Sequence, residues 1–171
     1  SATGGMGVIM KIMKFGGTSV GKPERMHHIA KLVTKEAEPA IVVLSALSGT
    51  TNALVEIGHH ISKGDRATAK QAIDKLETYY LEFIDELVKK DTAISKAKGI
   101  VGEHFEFLNI ILKISFSEAL SKDILAQGEL LSTKLFCVYL EEQDIDHQLL
   151  PALEFMSIDD YDEPQIGSIT V

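Results

Sequence analysis

Residues 14–23 read KFGGTSVGKP, and the interpretation of the chain starts from this stretch. It follows residues 8–15, VIMKIMKF, where only two lysines interrupt long or β-branched apolar side chains, so we expect a buried first strand there. Glycines between a strand and a helix let the backbone approach a ligand closely, and free N–H groups at such a turn favour an anion. The stretch therefore predicts a phosphate-binding turn, with a tight turn that binds nothing as the alternative.

The same residues partly match a different phosphate-binding motif. Gly16 to Lys22 fit the G-x-x-x-x-G-K part of a Walker A loop, but Pro23 stands where that motif needs a hydroxyl to hold magnesium. A P-loop NTPase is therefore disfavoured. Lys14, at the end of the strand, is the better candidate for a phosphate contact, because a lysine in an apolar strand is costly to bury without an anionic partner. Its alternative is a surface lysine at a strand terminus.

The pattern after this stretch predicts an α/β fold. Pro23 suits the first turn of a helix that we expect to end near Glu38-Pro39, and residues 40–46, AIVVLSA, are typical of a strand covered on both faces. Strand, helix and strand make a βαβ unit. Apolar stripes predict helices over 53–63, 66–90, 102–112 and 121–142, while 48–52 provide turn and capping residues and 146–153 favour a third strand.

The predicted fold class is an incomplete three-layer αβα sandwich. About three strands are visible, whereas an open sheet commonly has about 5–6. Residues 53 to 121 form a helical insertion in this interpretation.

Composition excludes several classes of function. The chain has 171 residues, a formal net charge of -8 and one cysteine, Cys137, which fits one domain in a reducing compartment. The negative charge disfavours nucleic acid as a partner, because its phosphates are bound through clustered Lys and Arg. No apolar run approaches the roughly 20 residues that cross a bilayer, so we expect no membrane partner and a cytoplasmic location.

Two further segments place polar groups where they could meet the glycine-rich turn. Residues 45–52, SALSGTTN, follow the second predicted strand, and open α/β sheets bind ligands outside the carboxyl ends of strands. Residues 127–132, QGELLS, put a glycine and a carboxylate into an otherwise apolar helix, where a glycine costs about 1 kcal/mol relative to alanine. This indicates close packing or a helix start aimed at a site, and a solvent-facing Glu129 is the alternative.

Other conspicuous residues have simpler interpretations. The histidine pairs at 27–28 and 59–60 do not predict a metal site, because adjacent helix residues point about 100° apart. The acidic run at 159–163 lacks the spacing of a calcium loop. Cys137 and the aromatic cluster at 79–83 are predicted to pack in the core. We therefore predict no metal ligand.

The three segments together resemble aspartokinase, a family of amino-acid kinases that phosphorylate the side chain of aspartate. The matches are KFGGTS at 14–19, Ser45-Ala46 with Gly49 and Thr51-Asn52, and Gly128-Glu129 with Ser132. Their order and spacing agree from Met10 onward. The resemblance implies the amino-acid kinase (carbamate kinase-like) fold and ATP-dependent phosphorylation of the β-carboxylate of L-aspartate, the first step of lysine, threonine and methionine biosynthesis.

The resemblance also implies a role for each matching residue. Lys14 would be catalytic, on the transferring phosphoryl group, and would share the ATP-binding loop with Gly16, Gly17, Thr18 and Ser19. Ser45 and Thr51 would contact aspartate, and Glu129 would pair with its α-ammonium group. The implied cofactors are ATP and Mg²⁺, and the parent enzyme is expected to be a homo-oligomer.

The resemblance is to only part of such an enzyme. An arginine and an aspartate that the family carries further along have no match after Glu129, and neither the adenine-binding half nor the ACT regulatory domains are found. We expect 1–7 to be a cloning remnant or a disordered start, and 8–171 to be the N-terminal part of the catalytic domain, inactive alone. A kinase for another small carboxylate and a non-catalytic amino-acid-binding or regulatory module are the rival hypotheses.

Overall fold

The computed structural model describes residues 10–150, except the side chains of Thr18 and Ser19. Its elements are β1 (Lys11–Phe15), α1 (Gly17–Val20), α2 (Pro23–Thr34), β2 (Ala40–Leu44), α3 (Thr50–Ser62), α4 (Arg66–Leu87), α5 (Asp91–Ile111) and α6 (Glu118–Glu142). The strands and long helices follow the predicted order up to α6, while the one-turn helix α1 is not among the predicted elements.

The two strands form the predicted βαβ unit. They run parallel, with Lys11 opposite Ala40 and Phe15 opposite Leu44, and α2 makes the crossover between them. Pro23 occupies the first turn of α2, where its missing N–H group costs nothing. The helix ends at Thr34, earlier than the expected end at 38–39, and the chain leaves it through an irregular segment before β2.

The strands are less buried than the sequence predicts. In β1, Lys11 and Lys14 are exposed and Ile12 keeps 42% of its surface accessible, while in β2 only Ile41 and Leu44 are buried. The reason is that each strand has a single neighbour among the described residues. The predicted strand at 146–153 is wrong for 146–150, which have no regular structure and pair with neither strand. Residues 151–153, like the acidic run at 159–163, lie outside the described part.

Helices α3 to α6 form a four-helix bundle that contains most of the core. Helix α3 packs against α4 and α6, and α5 packs against the same two helices. The predicted helical insertion therefore exists. Its third helix starts at Asp91 rather than near Gly102, because its early buried positions, such as Ala93 and Ala97, are too small to stand out as an apolar stripe. No helix in residues 10–150 is long and apolar enough to cross a membrane.

A left-handed glycine and two carboxylates fix the ends of these helices. Helix α3 begins at Thr50 after Gly49, whose φ of 82° lies in the left-handed region, so residues 50–52 form its first turn rather than its cap. The Asp65 carboxylate accepts from the Thr68 N–H at 3.1 Å, and this contact lowers the pKa of Asp65. Glu142, at the end of α6, accepts from the Lys89 and Lys90 N–H groups at 2.7 and 2.8 Å. The end of α6 is thereby tied to the start of α5.

Candidate functional site

The glycine-rich stretch places a lysine beside an open stretch of backbone. Lys14 is the last residue but one of β1 and is exposed. Gly16 leaves the strand in an extended conformation and leads directly into the one-turn helix α1. A Cβ built on Gly16 would meet no atom within 4 Å, so the space above this backbone is free. A cationic side chain and exposed glycine backbone suit the approach of an anion such as phosphate.

The side chains of Thr18 and Ser19 lie outside what the structure describes. Their backbone belongs to α1, within the same loop as the two glycines. Their assignment to the ATP-binding loop stays a prediction.

Two glycines of the first loop, residues 16–22, pack against the second loop, residues 45–49. A Cβ at Gly17 would lie 3.5 Å from the Ala46 carbonyl oxygen, which is ordinary contact, but one at Gly21 would lie 2.8 Å from the Ser48 Cβ. The latter distance is too short for a real side chain, so residue 21 is glycine because the two loops touch there. These contacts bring the first two predicted segments together.

Helix α6 brings the third segment to the same place. A Cβ at Gly128 would lie 2.8 Å from the Ala46 Cβ and 3.3 Å from the Thr50 Cγ2. Four residues later, the Ser132 hydroxyl donates to the Ser45 carbonyl oxygen at 2.8 Å. Gly128 therefore serves close packing, as one of the two sequence interpretations expects. It is not at a helix start, because α6 begins at Glu118.

The three residues assigned to substrate binding lie beside the place where the first loop, the second loop and α6 meet, which we call the junction. Ser45 follows the last residue of β2 and is partly buried, Thr51 is exposed in the first turn of α3, and Glu129 is exposed on α6 beside the buried Gly128. Their neighbours Ala46, Thr50 and Gly128 make the contacts just described. Each functional group is thus attached to a fixed piece of backbone while it remains accessible. Contact with a ligand remains a prediction for all three.

A buried polar network supports α6 beside the junction, and sequence reasoning missed it. His104 of α5 is 7% exposed, with Nδ1 2.6 Å from Gln127 Oε1 and Nε2 2.9 Å from Lys134 Nζ. Because a lysine ammonium group only donates, Nε2 must accept and the Nδ1–H must donate to Gln127. Burial lowers the pKa of His104, and the positive charge of Lys134 lowers it further, against the effect of the Gln127 bond. A histidine within an otherwise apolar helix face was the available signal.

Other polar residues serve packing. His27 Nε2 lies 2.9 Å from the Leu87 carbonyl oxygen, and its ring packs 4.5 Å from the Tyr139 ring. Cys137 is only partly buried, less than predicted for a core residue, but this burial raises the pKa of its thiol and makes it a poor nucleophile. Within residues 10–150, no three His, Cys, Asp or Glu side chains are grouped so that they could hold one metal ion.

Comparison with known proteins identifies the fold. The family model described as the amino acid kinase family matches residues 10–168. This chain belongs to the amino acid kinase family. The predicted αβα architecture of the amino-acid kinase type is therefore confirmed, and the relatives described next confirm the resemblance to aspartokinase.

Individual members of the amino acid kinase family show which branch is similar. The chain is 30% identical to lysine-sensitive aspartokinase 3 of Escherichia coli (strain K12), an alignment covering 92% of this chain and 35% of that protein. It is 34% identical to the chloroplastic aspartokinase 3 of Arabidopsis thaliana, covering 93% and 27%. The crystal structure of E. coli aspartokinase III in complex with aspartate and ADP matches with a TM-score of 0.72 at 27% identity, covering 94% of this chain and 36% of that one. The chain thus spans about a third of the length of these relatives.

Replacing Gly128 should separate α6 from the second loop. We expect Gly128→Ala to lower the free energy of unfolding by about 1–3 kcal/mol, because the new methyl group overlaps Ala46 in a close-packed region. Gly102→Ala on α5 is the matched control. No atom lies within 4 Å of a Cβ there, so the better helix propensity of alanine should stabilise the protein by up to about 1 kcal/mol. Urea unfolding of both variants measures these two changes in the free energy of unfolding. Equal stabilisation by both substitutions would contradict the close approach of α6 to the second loop.

The buried His104 should make stability depend on pH. Its pKa in the folded protein lies below that of an unfolded histidine, about 6.5. As the pH falls through about 6.5, the unfolded chain takes up a proton that the folded one resists, so the free energy of unfolding should decrease. The free energy of unfolding, measured with urea between about pH 7.5 and 5, should decrease less steeply with falling pH for His104→Gln than for wild type. A wild-type dependence of the free energy of unfolding on pH in His104→Gln would refute the assignment.

Proposed function

We propose that this chain is part of an aspartokinase, which transfers the γ-phosphoryl group of ATP to the β-carboxylate of L-aspartate. The observation that carries the proposal is the meeting of three separate segments, around Gly17, Ala46 and Gly128, in a family member similar to aspartokinases over most of its length. One of those relatives has been crystallised with aspartate and ADP. The predicted site residues lie on these segments.

The chemistry explains why a lysine and open glycine backbone suit one end of such a site. The β-carboxylate oxygen attacks the γ-phosphorus, the bond from that phosphorus to the bridging oxygen of ADP breaks, and an acyl phosphate forms. Because an anion attacks an anion, catalysis depends on positioning and on positive charge rather than on a protein nucleophile. Lys14 would neutralise the transferring group, and the N–H groups of Gly16 and Gly17 would hold the phosphates. Mg²⁺ would enter with ATP and offset phosphate charge, with no side chain of this chain assigned to it.

The other end of the site would recognise the amino acid. The Ser45 and Thr51 hydroxyls would contact aspartate, and the Glu129 carboxylate would pair with its α-ammonium group. Selection of an amino acid over a plain dicarboxylic acid would then depend on Glu129. The whole enzyme would be a cytoplasmic homo-oligomer that starts lysine, threonine and methionine biosynthesis; the lysine-sensitive relative supports this place in metabolism.

The role of Lys14 can be tested by trapping aspartyl phosphate with hydroxylamine. A polypeptide that continues past Val171 into the rest of the kinase domain should form the hydroxamate with MgATP and aspartate, and Lys14→Ala should reduce its rate by about 100-fold or more, since charge stabilisation of that size is typical. Lys11→Ala is the matched control. Lys11 lies on the same strand and pairs with Glu36 at 2.9 Å, so its loss should leave the rate unchanged. The 171-residue chain alone should give no hydroxamate.

Three outcomes would each overturn part of this proposal. Hydroxamate formation that survives Lys14→Ala would remove the lysine from the chemical step. Aspartate binding without any turnover in the longer polypeptide would favour a non-catalytic amino-acid-binding module, and a preference for glutamate would indicate a kinase for another carboxylate.

Glu129 should control aspartate affinity. We expect Glu129→Gln to raise the KM for aspartate at least about tenfold, because the ammonium group loses its counter-charge on entering the site, and to leave the KM for ATP unchanged. Steady-state kinetics of the longer polypeptide measure both constants. Glu118→Gln, at the exposed start of the same helix, is the control. An unchanged aspartate KM in Glu129→Gln would show that this carboxylate faces solvent only.

A further inference from the structure

Two adjacent tyrosines on α4 reach from the helical bundle to the two loops of the site. The Tyr80 hydroxyl lies 2.8 Å from Thr50 Oγ1. The Tyr79 hydroxyl donates to the carbonyl oxygen of Gly21 at 3.4 Å. One tyrosine thus contacts the start of α3, next to the second loop, and the other contacts the end of the first loop.

The Tyr80 bond is fully enclosed. Both Tyr80 and Thr50 are 0% exposed, and the Tyr80 ring packs against the Phe105 ring at 5.8 Å. A phenylalanine would fill this space equally well, and a buried hydroxyl is unfavourable unless it finds a partner. Burial raises the pKa of Tyr80 well above its ordinary value, so the phenol keeps its proton. The two hydroxyls therefore satisfy each other inside the bundle.

This bond fixes the rotation of the first turn of α3. Thr50 is the first residue of that helix and follows Gly49, which has a left-handed conformation. One side of Thr50 is held by Tyr80, and its Cγ2 faces α6 at Gly128. Neighbouring helix residues point about 100° apart, so a Thr50 that points into the core directs the exposed Thr51 outward. The orientation of Thr51 is thus set from α4.

We propose that Tyr80 is a positioning residue for amino-acid binding, acting on Thr51 through its buried hydrogen bond to Thr50. The proposal rests on the proposed function, in which Thr51 contacts aspartate. Tyr80 itself does not touch the substrate. Its hydroxyl keeps the first turn of α3 in the orientation that aspartate needs, so binding is weakened when the bond is lost even though the fold is retained.

The experiment is a double-mutant cycle with aspartate affinity as its readout. Tyr80→Phe and Thr50→Val each remove one hydroxyl and keep the shape of the side chain. In the polypeptide that continues past Val171, we expect each to raise the Kd for aspartate, measured by calorimetry, about five- to tenfold, the loss typical of one hydrogen bond. The double variant should be no worse than either single one. Thr50→Ser, which keeps the hydroxyl, should bind nearly as wild type does.

Tyr79→Phe is the matched control, since it removes the neighbouring hydroxyl, which contacts the other loop. It should leave the aspartate Kd unchanged, and urea unfolding should show every variant to be folded. A wild-type aspartate Kd in folded Tyr80→Phe, or effects that multiply in the double variant, would overturn the proposal. If the wild-type polypeptide binds aspartate but forms no hydroxamate, only the kinase function fails and the cycle still applies. If it does not bind aspartate at all, both proposals fail.

Discussion

The close approach of α6 to the second loop at Gly128 is the constraint on which the site depends. No side chain fits between the Gly128 Cα and the Ala46 methyl group, since a Cβ there would come within 2.8 Å. The Ser132 hydroxyl, one helical turn later, bonds to the Ser45 carbonyl oxygen. Packing at one position and a hydrogen bond one helical turn later thus fix the helix against the loop. Glu129 and Ser45 belong to these fixed pieces of backbone, so their separation is determined by the same contacts.

The bundle behind the site explains how an exposed group can be held in place. Thr50 is held by Tyr80, and Gln127 by His104, while their neighbours Thr51 and Gly128 belong to the site side. In each case a buried polar contact in the bundle fixes one residue, and helix geometry then sets the direction of the next. The helical insertion therefore positions the residues of the junction as well as contributing the core. This arrangement suits a site that must keep its groups open to a ligand.

Anionic substrates would have to be bound by local positive groups in this protein. The chain carries a formal net charge of -8, whereas ATP and aspartate, its proposed substrates, are anions. The net charge of this chain does not favour their approach, so its short-range groups must provide the favourable field. Lys14 and the open backbone at Gly16 are such groups on the described part of the chain. This is why the proposed chemistry depends so strongly on one lysine.

Several features could be predicted from the sequence because they depend on neighbours along the chain. The glycine-rich turn after β1, Pro23 in the first turn of α2, the helical stripes of α4 and α6, and the three segments of the family motif all appear as expected. Local patterns were insufficient where burial decided the outcome. The strands proved half-exposed, α5 began earlier because small residues cover its first turns, and 146–150 formed no strand.

The sequence by itself determined the family, the order of the strands and long helices up to α6, and the candidates for the site residues. Only the tertiary structure decided why Gly21 and Gly128 must be glycine, which hydroxyl meets Tyr80, and how His104 shares its two nitrogens between Gln127 and Lys134. Such contacts join residues far apart in the chain; the partners Ser132 and Ser45 are separated by 87 positions. A local pattern reports the periodicity of one segment, whereas the distance between two segments follows from how the whole core packs.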